Sequence, residues 1–172
     1  GLSGSVAQAP YACATEACPG WPWRCPEEEA LMADQLGMGV IGCGGISRAH
    51  LAAQQAIPEI CTVAVCDVDE EAARAASSQY DVPAVYTDYH DLLADERVDA
   101  VAVLLPHHLH RDAVVAAARA GKHVLCEKPM AISLAQADEM IAACEASDVV
   151  LAIAQILRFR PANSIARAAI GD

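Results

Sequence analysis

The stretch that most constrains this chain is Met38-Gly-Val-Ile-Gly-Cys-Gly-Gly-Ile-Ser-Arg-Ala-His50. Met38 to Ile41 read as a buried strand, Gly42 to Gly45 as a turn, and a helix opens directly afterwards. Few folds are open to a chain that must leave a buried strand, turn tightly and start a helix at once. In that setting the glycines have definite tasks. Gly42 permits the tight turn, and Gly44 leaves bare backbone against which a pyrophosphate can lie. A small residue three positions on, here Ser47, lets helix and strand pack closely. The amides and partial positive charge of the new helix then face the phosphates. The predicted ligand is a dinucleotide, lying along Gly42, Cys43, Gly44, Gly45 and Ile46.

A second strand, Cys61-Thr-Val-Ala-Val-Cys, ends in Asp67. This is slightly beyond the roughly twenty residues after the first glycine at which a ribose-binding acid is expected. A carboxylate there accepts hydrogen bonds from the adenosine ribose hydroxyls and repels a 2′-phosphate. Val68, Asp69, Glu70 and Glu71 follow, with no Arg or Lys beside Asp67 to hold such a phosphate, so NAD is favoured over NADP. The plainer reading of Asp67 is an N-cap for the helix beginning near Glu70, and the two roles are not exclusive.

From Met38 onward strands and helices alternate. Helices are expected over about 45–55, 70–79, 88–94, 108–120 and 133–146, with a further one from Asn163. Strands are expected at 38–41, 61–67, 84–86, 98–105, 123–126 and 149–154. Val98 to Leu105 is apolar throughout after Asp99, as suits a strand covered on both faces. Gly121 supplies a helix stop and Ser133 an N-cap. The fold class is α/β: a doubly wound parallel sheet (Rossmann fold) of about six strands, helices on both faces, in the order 3-2-1-4-5-6.

Ligands of such sheets bind beyond the carboxyl ends of the strands, where strand order reverses. Strand four ends in Leu105-Pro-His-His-Leu-His110 and strand five in Cys126-Glu-Lys-Pro129. Lys128 is the sharpest candidate. A lysine at the mouth of a cofactor cleft can exchange a proton with a substrate hydroxyl or carbonyl while hydride moves. The plainer reading is an exposed loop lysine. His107 and His108 are expected to line the cleft and His110 to pack against or cap the next helix. A metal reading of these three lacks a Cys, Asp or Glu at ligand spacing, so no metal site is assigned. His50 reads as structural. Arg158, in Arg158-Phe-Arg-Pro161, is a candidate lining residue, with a solvated arginine as the alternative.

Together these pieces resemble the N-terminal domain of the Gfo/Idh/MocA oxidoreductases: Gly42 to His50, Asp67, Pro106 with His108 to His110, Glu127-Lys-Pro129, and Arg158-Phe-Arg-Pro161. The resemblance implies NAD(P) on the glycine turn, ribose selection at Asp67, and cofactor contacts from Leu105, Pro106, His107, His110, Glu127, Lys128 and Arg158. It implies proton transfer assisted by Lys128, a nicotinamide ribose held with help from Glu127, and a sugar, cyclitol or related secondary alcohol as substrate. Leu105 and His107 stand where that family commonly has Thr and Asn, and Ile156 where it commonly has Asn. The family continues into a C-terminal α/β domain that binds substrate, forms oligomers, and supplies an Asp and a His acting with the lysine. The expectation is therefore a cofactor-binding half, weak or inactive alone. Residues 36–155 would form the NAD(P)-binding domain, and 156–172 the start of a link to an absent substrate domain.

Fifty-five per cent of the 172 residues are hydrophobic, which argues for a folded globule. The net charge of −12 argues against nucleic acid and anionic membrane as partners. No apolar run reaches the ~20 residues of a membrane span. Of eight cysteines, five fall on expected core elements or in the glycine turn, and Cys13, Cys18 and Cys25 lack zinc-site spacing. Reduced thiols in a cytoplasmic protein are expected. Residues 1–35, broken by prolines and carrying Trp21 and Trp23, read as a poorly ordered extension, with Met32 a candidate natural start. The alternative there is a partner-binding arm. Two other functions compete with the dehydrogenase: a non-catalytic dinucleotide-sensing module on the same fold, and an S-adenosylmethionine-binding methyltransferase, which Glu127-Lys-Pro129 disfavours.

Overall fold

A computed structural model describes residues 35–170. Residues 1–34 of the expected extension, with both tryptophans and Met32, lie outside the described residues. Six parallel strands pair in the order β3-β2-β1-β4-β5-β6: β1 Leu36–Ile41, β2 Ile60–Cys66, β3 Ala84–Tyr86, β4 Ala100–Val103, β5 His123–Cys126 and β6 Leu151–Ile153. The helices are α1 Ser47–Gln55, α2 Glu70–Tyr80, α3 Tyr89–Leu93, α4 His110–Arg119, α5 Leu134–Ala146 and α6 Pro161–Ile170.

The two-residue period of the strands sorts the core onto two faces. Met38, Val40, Val65, Ala100 and Ala102 pack with Leu51 of α1 and Ala76 of α2. Ile41, Cys66, Val101, Val103 and Cys126 pack with Leu92 of α3, Val114 of α4 and Met140 of α5. Val40, Val65, Val101 and Val103 are wholly buried. Each such side chain contributes roughly 1.5–3 kcal/mol relative to exposure. Small residues let the layers close: a Cβ on Gly37 would lie 1.9 Å from the Arg97 carbonyl oxygen.

Several element ends differ from the sequence reading. The fourth strand is shorter than 98–105, because the Val98 amide turns back to the Asp95 carbonyl, and Leu104 makes only one further bond, to Ile41. The helix expected over 108–120 divides into a 3-10 turn, His107–Leu109, and α4. Pro106 carries the chain out of the strand in an extended conformation (φ −56°, ψ 140°) just before it. The sixth strand is shorter than 149–154, since the Val149 amide belongs to the end of α5 through the Cys144 carbonyl.

Candidate functional site

The carboxyl ends of β1, β2, β4 and β5 meet at the reversal of strand order between β1 and β4. Gly42 leaves β1 with φ +103°, and a Cβ there would sit 2.7 Å from the Leu104 carbonyl oxygen. Only glycine satisfies both constraints without strain. Gly44 and Gly45, by contrast, are exposed and have nothing within 4 Å of where a Cβ would be. Ser47 is 1% exposed, and its hydroxyl donates to the Gly44 carbonyl at 2.6 Å. Its small size suits the close packing expected of it, and its hydroxyl also shapes the turn. No side chain caps α1, and its first turn holds no acid. Asp69, Asp88 and Ser133 cap α2, α3 and α5. Of the first amides of α1, that of Ser47 donates to the Gly44 carbonyl at 3.0 Å and that of Ala49 to the Ile46 carbonyl at 3.1 Å, while no carboxylate competes for the helix's partial positive charge.

Asp67 does not cap α2; that role falls to Asp69, whose side chain accepts from the Glu71 and Ala72 amides. Asp67 instead accepts from the Cys43 amide at 2.7 Å and the Asp69 amide at 3.0 Å. It therefore fastens the glycine turn to the end of β2, and each oxygen retains a lone pair for a further donor. The Cys43 thiol is pushed up to about 11, by burial first and then by the Asp67 charge. It stays a thiol at neutral pH and is a poor nucleophile.

On the other side of the reversal, Leu105 is half-buried, while Pro106, His107 and His108 are exposed. His110 is fully buried, with Nε2 2.8 Å from the Leu105 carbonyl oxygen and Nδ1 3.0 Å from that of Pro129. Both ring nitrogens thus face carbonyl oxygens, and a neutral ring, with one N–H, donates to one of them. His110 lies between the β4 and β5 loops, and its expected packing at the start of α4 agrees with its burial. Lys128 is exposed, and the Lys128–Pro129 peptide bond is cis. Glu127, 9% exposed, accepts from His50 Nε2 at 2.9 Å with one oxygen and from the Lys128 amide at 2.9 Å with the other. Burial pushes the Glu127 carboxyl up, but the bonds from His50 and the Lys128 amide outweigh it and hold the group below its ordinary value. Arg158 stands exposed in a 3-10 turn, Ile156–Phe159, after β6.

The glycine turn and Asp67 are therefore joined directly, and Glu127 is joined to α1 through His50. From the sequence, His50 is expected only to be structural. A signal was present: Ser47, Leu51 and Gln54 of α1 are buried, and His50 falls on the same helical face. A groove of about 670 Å³, lined by Arg111, Arg119 and Glu139 among others, shares none of these loop residues.

The description of a family model, an oxidoreductase family with an NAD-binding Rossmann fold, fits residues 36–155. The chain belongs to the Gfo/Idh/MocA oxidoreductase family. It is 38% identical over 133 residues to D-apiose dehydrogenase of Paraburkholderia graminis, covering 77% of this chain and 36% of that protein. It is 39% identical over 114 residues to myo-inositol 2-dehydrogenase of Thermotoga maritima, covering 66% of this chain and 34% of that protein. The chain thus spans about a third of the length of these curated relatives. Among solved structures, WlbA dehydrogenase from Bordetella pertussis in complex with NADH and UDP-GlcNAcA superposes with a TM-score of 0.75 at 30% identity, over 79% of this chain and 42% of that one. GenD2 from gentamicin A biosynthesis, in complex with NAD, gives 0.77 at 29% identity over 82% and 40%. As a Gfo/Idh/MocA domain, this chain carries the family's NAD-binding Rossmann fold, and NAD is its cofactor class. NADP also occurs among its neighbours, as in KijD10.

Proposed function

We propose that this domain binds NAD for hydride transfer to or from a sugar, cyclitol or related secondary alcohol. One observation carries the reading: the Asp67 carboxylate is hydrogen-bonded to the Cys43 amide. The acid expected to meet the adenosine ribose is thereby set beside the turn expected to meet the pyrophosphate. The residues fit the cofactor. Gly44 and Gly45 offer bare, open backbone, the start of α1, with no acid in its first turn, offers partial positive charge to phosphate, and the lone pairs left on Asp67 offer acceptors to a ribose diol. Asp67 would also repel a 2′-phosphate, favouring NAD over NADP.

Bound NAD would supply the hydride acceptor. Lys128, exposed after β5, would take the proton of the reacting hydroxyl on its neutral amine during oxidation and return it from the ammonium form during reduction. Glu127 and Pro129 would fix the backbone from which it reaches, and Leu105, Pro106, His107 and Arg158 would line the nicotinamide end. The relatives named above are about three times as long as the matched span. In this reading, groups outside that span complete the substrate site and any oligomer, and the isolated chain binds cofactor with little turnover.

Calorimetric titration with NAD and NADP tests the reading. NAD should bind more tightly, Asp67→Ala should erase that preference, and Lys128→Ala should leave NAD affinity within about twofold. Failure of a folded chain to bind either dinucleotide at millimolar concentration would refute it. Ready turnover by the isolated chain would refute the need for a second substrate-binding part, and would also exclude a purely sensing module.

A further inference from the structure

We infer that His50 is a positioning residue for the nicotinamide side of the site, acting as a clasp between α1 and the loop that carries Lys128. The inference rests on the NAD-binding reading above. A carboxylate only accepts hydrogen bonds, so His50 must present Nε2–H to Glu127 across the 2.9 Å contact. The side chains are 14% and 11% exposed, so water competes weakly for either. The other Glu127 oxygen takes the amide of Lys128 itself. One carboxylate thus ties the helix that follows the glycine turn to the peptide unit of the candidate proton-transfer lysine.

The strand order shows what this bridge spans. β1, which feeds α1, neighbours β4, and β5 lies beyond β4. The clasp therefore runs past the end of β4, on the side of the crevice away from β2. The opposite side has its own fastening, between Cys43 and Asp67. The two fastenings share no residue. Releasing His50 should loosen the β5 loop, and leave Glu127 buried with one partner fewer, while the glycine turn and Asp67 keep their geometry. An adenosine diphosphate held by the turn and Asp67 should notice little. A ligand that also reaches over β4 and β5 should bind less well. His50 would then act through Glu127 without touching the reacting atoms.

Titration of the chain with NAD and with ADP, which lacks both the nicotinamide ring and its ribose, reads the difference. His50→Leu should weaken NAD by about tenfold, the size expected on losing a buried charge-assisted hydrogen bond, and change ADP by less than about twofold. His50→Gln, which can still donate to Glu127, should recover most of the NAD affinity. If His50→Leu does not fold, His50→Asn, polar but too short to reach Glu127, should show the same selective loss. Equal loss of both ligands in a folded variant, no loss of either, or a Gln variant no better than the Leu variant would overturn the clasp. A folded wild-type chain that binds neither ligand would sink the NAD reading and this inference with it. A wild type that binds both, with variants that lose both alike, would sink the clasp alone.

Discussion

Gly42 and Gly44 share one turn yet should fail for different reasons. A side chain at Gly42 meets both a positive φ of +103° and the Leu104 carbonyl 2.7 Å away. Gly42→Ala should therefore cost stability, about 1–3 kcal/mol, seen as a lower melting temperature whether or not a ligand is present. Gly44 has no positive φ and open space where its Cβ would be. Gly44→Val should melt within about 0.5 kcal/mol of wild type, because it adds a side chain at a surface site. It should nevertheless lose at least about tenfold in NAD affinity, because the valine would occupy the space assigned to the pyrophosphate. Normal binding by Gly44→Val would remove the turn from the site. Asp67 has two duties that substitution can separate. Asp67→Asn keeps one acceptor oxygen for the Cys43 amide, gives up the one that takes the Asp69 amide and discards the charge, so it should narrow the NAD-over-NADP preference and lower the melt less than Asp67→Ala does. Asp67→Ala gives up the fastening as well and should also destabilise by about 1 kcal/mol. Equal melts for the two variants would show that the Cys43 bond does little for the fold.

The link between β3 and the loop after α3 rests on Asp95. Arg97 reaches its two oxygens through Nε at 3.0 Å and Nη2 at 2.6 Å, and the Tyr86 hydroxyl donates to it at 3.0 Å. The Arg97 fork holds the Asp95 carboxyl well below the usual carboxylate range, against the opposing push of burial, with Tyr86 assisting. A lowered folded value means that the contribution is fully present above the unfolded carboxylate value near 3.9, and is lost as pH falls below it toward the folded value. Wild type should thus exceed Asp95→Asn in melting temperature at pH 6, and the gap should close progressively below about pH 4. A gap that stayed constant down to pH 2.5 would show that Asp95 acts by shape alone. The order of elements was legible in the sequence because apolar runs, glycine stops and Asp or Ser caps are local signals. Element ends were less so: the apolar run at 98–105 reports burial, whereas the β4 ladder spans only Ala100–Val103. Two acids so close in sequence as Asp67 and Asp69 could not be told apart as caps without the path of the backbone. The His50–Glu127 contact joins residues 77 apart, and no periodicity encodes such a pair.

For the molecule as a whole, the inference is that one ligand should bridge both halves of the sheet. The order β3-β2-β1-β4-β5-β6 puts the glycine turn and Asp67 on one side of the reversal and Leu105, His107 and Lys128 on the other. Within the described residues the two sides are held across the β1–β4 pairing and by the Glu127 clasp. This layout could be anticipated from strand order alone; which side chains do the holding could not. A cofactor that touches both sides adds a third connection, and it binds the folded sheet and not the unfolded chain. Mass action then stabilises the fold by about 2.7 kcal/mol at a hundred times the dissociation constant. For a chain of this size that amounts to a rise of roughly 5–10 °C in melting temperature. NAD at that excess should give a shift of this order, and NADP at the same concentration a smaller one, because Asp67 opposes its phosphate. In Asp67→Asn the NADP shift should approach that of NAD. Equal shifts for the two dinucleotides in the wild-type chain would leave NAD binding standing but remove Asp67 as its selector. A shift with neither, for a chain that melts cooperatively, would mean that this sheet does not hold the cofactor its loops are arranged to fit.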